Sequence, residues 1–310
     1  EVICTVTINP AIDRIIYLTQ LNKDNTNRIK AAKDSLGGKG THVSVNLSIL
    51  GCDNKAFGID FGYAGYKIEK ILSREHVDVK FLHYEEGESR TNYALIEEDK
   101  TCTLLSEKGK IINKSQCEEL IEKIYEETEV GDILILSGDA SNTEIPLIYP
   151  EIMKRIKGKN IKVLLDSSSE NLVEALKWSP FLIKPNEDEL SQILGRKVTS
   201  EKQILEGIRE IAQRGIPCIA VSCGGNGSYI WYQGVIYRIY PLKVNVINTI
   251  GCGDAFLSGL AYGLEKDLDF LETLKYAAAV SSATAESNDT VGFDKKRAYE
   301  LMKQVKIERL

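Results

Sequence analysis

Short apolar runs rich in β-branched residues alternate with segments of helical period along most of this chain, and no other feature limits its fold as strongly. Runs at Val2 to Ile8, Lys55 to Ile59, Asp132 to Leu136, Lys162 to Asp166, Phe181 to Lys184 and Pro217 to Ser222 read as strands. Several are apolar on both faces, as strands buried in a parallel sheet are. Helix starts are legible between them, because Ser115-Gln-Cys-Glu118 and Ser200-Glu-Lys-Gln203 each match a capping box. The reading is an α/β fold: a mostly parallel sheet with helices on both faces.

Two stretches interrupt the alternation, about residues 13 to 34 and 89 to 107. Arg14-Ile-Ile-Tyr17 and Thr91-Asn-Tyr-Ala-Leu-Ile96 carry period-two patterns with no room for a long helix. They are expected to form a small β-sheet inserted into the core, either as a lid over the carboxyl ends of the parallel strands or as an edge extension of the main sheet. With no repeat, low-complexity tract or Pro/Ser linker, residues 1–310 read as one continuous domain.

Composition excludes whole classes of function. Of the 310 residues, 43% are hydrophobic and 27% charged, which suits a globular protein with a large core. The 39 Lys and Arg against 45 Asp and Glu give a net charge of -6, so the basic excess that a nucleic-acid partner requires is missing. No apolar run approaches the length of a membrane span, and the opening residues lack the pattern of a signal peptide. Cys4, Cys52, Cys102, Cys117, Cys218, Cys223 and Cys252 are scattered, with no C-x-x-C pair. A reduced, cytoplasmic chain is expected.

Three segments carry chemistry. In Asn248-Thr-Ile-Gly251-Cys252-Gly253-Asp254, two glycines and an acid open a helix. Free N–H groups and the positive end of the dipole there form an anion hole. Asp254 in that hole suits a general base beside a transferring phosphoryl group, although an ordinary N-cap is an equal reading. Gly37-Gly38-Lys39-Gly40-Thr41-His42 leads into a second helix. It is not a P-loop, since Gly40 follows Lys39, and Phe256 removes the third glycine of a dinucleotide fingerprint from the other cluster. What remains is a turn whose backbone could touch a polar ligand such as a polyol, or a plain connection. Lys184-Pro185-Asn186-Glu187-Asp188-Glu189 ends a strand; Asn186 and Glu189 share a face suited to hydrated Mg²⁺, or simply complement a helix dipole. Asp13, Arg28 and Arg90 are further polar candidates, the arginines for phosphate, though each alone reads as surface charge.

Taken in order, Asn9-Pro-Ala-Ile-Asp13, Gly37-Gly-Lys-Gly40, Arg90, Lys184-Pro-Asn-Glu-Asp-Glu189, Ser222-Cys-Gly-Gly-Asn-Gly227 and Gly251-Cys-Gly-Asp254 resemble the phosphofructokinase B family of ribokinase-like carbohydrate kinases. The resemblance runs from about residue 2 to about 300 and is greatest to the 1-phosphofructokinase and tagatose-6-phosphate kinase branches. It implies a Rossmann-type three-layer αβα core with a β-sheet lid, and transfer of the ATP γ-phosphoryl group to a sugar hydroxyl with Mg²⁺, K⁺ being a further candidate. It also implies Asp254 as the base and Gly251, Cys252 and Gly253 as anion-hole donors. Lys184, Asn186, Ser222, Gly224, Gly227 and Gly253 would meet ATP, and Asn186 and Glu189 would hold Mg²⁺. Asp13, Gly38 and Lys39 would receive sugar hydroxyls, while Arg90 and Arg28 would take the substrate's phosphate. Fructose-1-phosphate is the expected acceptor; the alternatives are tagatose-6-phosphate, an unphosphorylated sugar or a nucleoside, and, more remotely, sugar-phosphate binding without catalysis. A homodimer through the lid is expected.

Four positions depart from the family pattern, the smallest change being Asp166-Ser167-Ser168-Ser169, which lacks a glycine common after the second Ser. His42 stands where an Asn usually contacts the sugar. Asp139 stands where the phosphosugar branch has a hydroxyl, and its charge opposes a phosphate unless a cation neutralises it. Cys252 replaces a frequent Ala; it reads either as a thiol whose pKa a helix N-terminus lowers, making it sensitive to oxidation, or as a small side chain that simply fits.

Overall fold

Alternate residues of the central strands serve two different cores, and this decides the layering. A computed structural model describes residues 1–310, apart from the side chain of Ser169. The chain runs through β1 (Ile3–Thr7), β2 (Ala11–Tyr17), β3 (Ala31–Gly37), α1 (Lys39–Ile49), β4 (Asn54–Phe61), α2 (Gly62–Arg74), β5 (Asp78–Tyr84), β6 (Arg90–Ile96), β7 (Cys102–Leu105), α3 (Lys114–Glu127), β8 (Ile133–Ser137) and α4 (Ile148–Ile156). It continues through β9 (Lys162–Asp166), α5 (Ser169–Ala175), β10 (Leu182–Ile183), α6 (Glu187–Leu194), α7 (Glu201–Ala212), β11 (Cys218–Ser222), β12 (Ser228–Tyr232), β13 (Val235–Ile239), α8 (Cys252–Glu265), α9 (Phe270–Ala285), α10 (Lys295–Met302) and β14 (Ile307–Arg309).

Ten strands form one sheet in the order β14-β13-β12-β11-β10-β9-β8-β1-β4-β5. From β11 to β5 all pairs are parallel, and β12, β13 and β14 add antiparallel strands at one edge. Leu134 and Leu136 of β8 face a core with Leu120, Ile152 and Ile208, from α3, α4 and α7. Ile133 and Ile135 face the opposite core with Leu47, Leu257 and Ala277, from α1, α8 and α9. The expected αβα sandwich is thereby built.

The two interrupting stretches form a separate sheet in the order β3-β2-β6-β7, with β2 and β6 parallel and the outer pairs antiparallel. It is not an extension of the large sheet. Ile12 and Leu36 on its inner face pack on Val45 of α1 and Ile68 and Leu72 of α2. That stripe is buried on the two helices, and β5, in which only Phe81 is buried, is left as an edge of the large sheet.

One helix start moves. The Ser200–Gln203 capping box forms as expected at α7. At α3, however, Asn113 and Gln116 make the box, two residues before Ser115–Glu118. The reason is upstream: Ile112 bridges to Thr143 and its N–H bonds to the Asn142 carbonyl, so the extended chain ends there and the helix starts at once. α8 is held against α9 at Gly259, where a Cβ would lie 2.5 Å from Ala277 Cα; this contact fixes where the N-terminus of α8 points. The seven cysteines are free, and among the described residues no helix is long and apolar enough to cross a membrane.

Candidate functional site

The carboxyl ends of β1, β8, β9, β10 and β11 share one rim of the sheet, the place where parallel α/β sheets receive ligands. A cleft of about 330 Å³ opens there under the first residue of β6. Of the residues expected from sequence, Gly38, Lys39, His42, Arg90, Asp139, Gly251 and Asp254 line it. Segments more than 200 residues apart in sequence are thus brought to one wall by α1 and α8 packing on the same face.

Gly251 is the N-cap residue of α8, with φ +80°, and a Cβ there would press on the Thr290 carbonyl at 3.1 Å. No side chain caps this helix, so the N-cap reading of Asp254 fails and first-turn donors are left for a ligand. The Cys252 N–H is partly engaged by the Thr249 carbonyl at 3.3 Å. Lys184 brings its ammonium within 3.3 Å of where a Cβ on Gly253 would lie, adding a cation to the anion hole.

Asp254 is buried. Its Oδ2 lies 3.2 Å from His42 Nδ1, and its Oδ1 has no partner. His42 Nε2 donates to the Leu36 carbonyl at 2.8 Å. A carbonyl can only accept, so Nε2 carries a proton, and the Nδ1 to Oδ2 contact is a hydrogen bond only if the pair holds a second one. Burial works against a charged ring, but the hydrogen bond and charge of Asp254, then the Leu36 carbonyl and Asp13, outweigh it and hold the His42 pKa above its ordinary value. His42 thus lines the cleft while its two ring nitrogens face the Leu36 carbonyl and the candidate base.

Asp166, which sequence reading passed over as a site residue, lies at the end of β9 between two lysines. Lys184 Nζ and Lys39 Nζ approach its Oδ2 at 3.4 and 3.7 Å. Asp166, against the effect of burial and with help from Asp254 and Glu189, raises the Lys39 pKa. Asn186 and Glu189 form a reciprocal capping box on α6: Asn186 Oδ1 accepts from the Glu189 N–H at 2.8 Å and Glu189 Oε1 from the Asn186 N–H at 3.0 Å. One Glu189 oxygen stays free, and burial, with Asp166 nearby, raises that carboxyl's pKa against Asn186, Lys39 and Lys184. Asp166 Oδ2 makes no hydrogen bond but faces both ammonium groups, so the free Glu189 oxygen and the Asn186 amide are the donors left for an ion. This donor set fits a hydrated Mg²⁺.

Ser222 bridges to Asn186, which places the Gly224–Asn226 turn beside α6; Gly224 and Gly227 both have positive φ, and a Cβ at Gly224 would meet nothing within 4 Å. Asp13 accepts from Asn92 at 3.1 Å on the neighbouring lid strand. Arg90 donates through Nε and Nη2 to the Asn9 carbonyl at 3.1 and 2.9 Å. Asp139 accepts from the N–H and hydroxyl of Ser141 at 3.2 and 2.8 Å, so its carboxylate is engaged in its own turn, and Arg90 is near enough to feel its charge. Arg28 lies exposed in the loop between β2 and β3, outside the cleft lining. The activated-thiol reading of Cys252 is reversed: burial, and then the charge of Asp254, push its thiol up to about 11, so the helix terminus does not activate it.

Thr7 and Ser137 were not foreseen. Each is the last, polar residue of an apolar strand, each lines the cleft, and Thr7 Oγ1 and Ser137 Oγ are buried without partners. Together with Asp254 Oδ1 they make three unsatisfied polar atoms around one cleft, an arrangement that a polyhydroxyl ligand satisfies.

The whole length of the chain has relatives. The description "pfkB family carbohydrate kinase" matches residues 3–296. A 1-phosphofructokinase of Bacillus subtilis is 29% identical over 308 residues, covering 99% of this chain and 100% of that protein. A tagatose-6-phosphate kinase of Staphylococcus epidermidis is 32% identical over 311 residues, covering 98% and 99%. The crystal structure of phosphofructokinase-2 from Escherichia coli in complex with potassium superimposes with a TM-score of 0.91 at 23% identity, covering 98% of each chain, and shares the fold.

Proposed function

The chain belongs to the pfkB family of carbohydrate kinases, and on that premise we propose that it moves the γ-phosphoryl group of ATP to a hydroxyl of a ketohexose phosphate, with fructose-1-phosphate as acceptor and fructose-1,6-bisphosphate as product. The observation that carries this reading is the cleft itself, which pairs Arg90, a guanidinium suited to a phosphate, with Asp254, whose free Oδ1 suits a hydroxyl proton.

In this mechanism the sugar hydroxyls lie against Thr7, Ser137 and the Gly38 turn. Asp254 Oδ1 takes the proton of the attacking hydroxyl, while His42 holds Oδ2. The N–H groups of Gly253 and its neighbours, with Lys184, stabilise the charge on the transferring group, and the turn at Gly224 to Gly227 borders the nucleotide. Phosphoryl transfer needs chiefly positioning and charge stabilisation, and these groups supply both. Glu189 and Asn186 would hold Mg²⁺ through water, where the ion would neutralise phosphate charge, while Asp166 anchors Lys39 and Lys184. A cytoplasmic setting and a homodimer joined at the lid complete the proposal; exposed Leu104 and Leu105 on edge strand β7 support pairing there.

The test is Mg²⁺-dependent ADP release, with and without K⁺, using fructose-1-phosphate, fructose-6-phosphate, tagatose-6-phosphate, fructose, ribose and adenosine. Turnover is expected to be fastest on fructose-1-phosphate. Turnover on neutral acceptors alone would overturn the phosphosugar reading, and tagatose-6-phosphate as the best acceptor would move the assignment to that branch.

His42 gives a pH signature. Its pKa is raised on folding, so the stability it contributes is fully present below the ordinary histidine pKa and is lost as pH rises through the folded value. Above that value a neutral ring turns the Nδ1 lone pair toward Oδ2. The kcat of the natural protein is therefore expected to fall on its alkaline side, whereas His42→Asn, whose amide donates at any pH, should lack that limb. Identical pH profiles for the two proteins would refute the pairing.

A further inference from the structure

Outside the kinase cleft, three ligand-type side chains converge at the other end of the large sheet. Asp60 and His83 are directly opposite each other on the parallel strands β4 and β5, and Glu69 reaches them from the second turn of α2. One ligand atom from each lies within 4.8 Å of the other two. His83 Nδ1 contacts Asp60 Oδ1 and lies 3.7 Å from Glu69 Oε2, so two carboxylates point at one ring nitrogen. A ring nitrogen has one proton to give and can satisfy only one of them. Asp60 is completely buried and its Oδ2 has no hydrogen-bond partner. Burial pushes Asp60 up to about 7, and burial followed by the charge of Asp60 does the same to Glu69, which is the electrostatic cost that a cation would relieve.

The surroundings look built for a ligating histidine. With Nδ1 turned to the carboxylates, Nε2 is buried without a hydrogen-bond partner; Glu85 Oε1 is 3.5 Å away and accepts the Tyr66 hydroxyl's hydrogen bond instead. The Tyr66 ring stacks on the imidazole at 3.7 Å between centroids and 28° between planes, which fixes the ring's plane. At Gly65, any Cβ would collide with the Asp60 carboxylate, so glycine keeps that carboxylate's place open.

We propose that Asp60, Glu69 and His83 bind one divalent transition-metal ion, with Zn²⁺ the best fit. Two carboxylate oxygens and one imidazole nitrogen, with a water in the fourth position, suit a tetrahedral transition ion, whereas Mg²⁺ and Ca²⁺ prefer all-oxygen shells. None of the three residues lines the kinase cleft. The ion's position suits bracing the fold, although the water keeps one coordination position open. Next to the site, the Phe61 N–H donates to Ser89 Oγ, the Ser89 N–H returns to the Phe61 carbonyl, and the N–H groups of Tyr63 and Ala64 bond Glu88. A metal at Asp60 would therefore brace β4, β5 and α2 where the chain enters the lid at Arg90.

The test uses the full-length protein stripped with EDTA and titrated with Zn²⁺ against a chromophoric chelator, without nucleotide or Mg²⁺. One equivalent is expected to bind, and Zn²⁺ should raise the melting temperature in a way that EDTA reverses. Glu69→Gln, at a partly exposed position that preserves the fold, and His83→Gln should each weaken binding at least about tenfold and abolish the Zn²⁺-dependent rise. Far-ultraviolet circular dichroism checks that each variant is folded. The proposal is overturned if the natural protein binds no Zn²⁺, or if both folded variants bind it as the natural protein does, which would place the ion elsewhere, for instance at exposed Cys102.

Discussion

Asp254→Asn should lower kcat about 10³-fold, within the range that a general base contributes, while leaving the KM for ATP within a few-fold of its natural value. The expectation rests on how the two carboxylate oxygens are used. Oδ2 is held by His42 at 3.2 Å, and Oδ1 is buried and unpartnered in the cleft wall. Asparagine keeps the shape and can still meet the imidazole, but it has no oxygen able to carry a proton away from the attacking hydroxyl. The anion hole at α8 and Lys184 are left in place, so nucleotide binding is preserved. Steady-state kinetics on the best acceptor decide the matter. Activity within tenfold of the natural protein would remove Asp254 from the role of base and leave it as the anchor of His42.

Arg90→Ala should raise the KM for a phosphorylated acceptor about 10- to 100-fold, since hydrogen bonds to a charged group are worth roughly 1.5 to 3 kcal/mol and each 1.4 kcal/mol is a factor of ten. Two guanidinium nitrogens bond the Asn9 carbonyl, which aims the side chain into the cleft from the first residue of β6. Arg90→Lys should recover only part of the loss, because an ammonium cannot keep the paired contacts to Asn9 and meet a phosphate with the same geometry. The control is an unphosphorylated sugar: its kcat/KM should change little, since Arg90 acts on the phosphate. An equal loss on both acceptors would mean instead that Arg90 holds the lid to β1.

These predictions differ in how far the sequence alone could lead to them. Asp254 and Arg90 were legible through their places in an ordered set of motifs, since alone the first read equally as an N-cap and the second as surface charge. Thr7, Ser137 and Asp166 were not singled out. A Thr, Ser or Asp at the end of an apolar strand is ordinary, and only the parallel stacking of β1, β8 and β9 places these three on one rim. The sequence marked His42 as an oddity but could not show that Asp254 is its neighbour. A residue 212 positions away in the chain decides its protonation, and no local pattern reports such a contact.

The Asn186 and Glu189 pair illustrates the same limit from another side. Their spacing of three suits both a metal shell and a capping box, and the structure shows the capping box formed, with one carboxylate oxygen left over. For Cys252, position at a helix N-terminus argued for an activated thiol, whereas burial and the neighbouring Asp254 argue the other way and prevail. Helix dipoles act at the scale of about 1 kcal/mol, and removing a thiolate from water costs more.

What the sequence by itself determined is the set of local elements: the alternation of strands and helices, the glycine turns, the Ser200 cap and the period-two strands, though not that these strands form a sheet of their own. Each is written in neighbouring residues, because backbone sterics and side-chain periodicity act over a few positions. What only the tertiary structure decided is who faces whom. Asp254 meets His42, Asp166 sits between Lys39 and Lys184, and Asp60, Glu69 and His83 share one corner, because strand order and helix packing set those distances. The chemistry of a buried charge depends on its neighbours in space, so the protonation of these groups follows from the fold and not from their order along the chain.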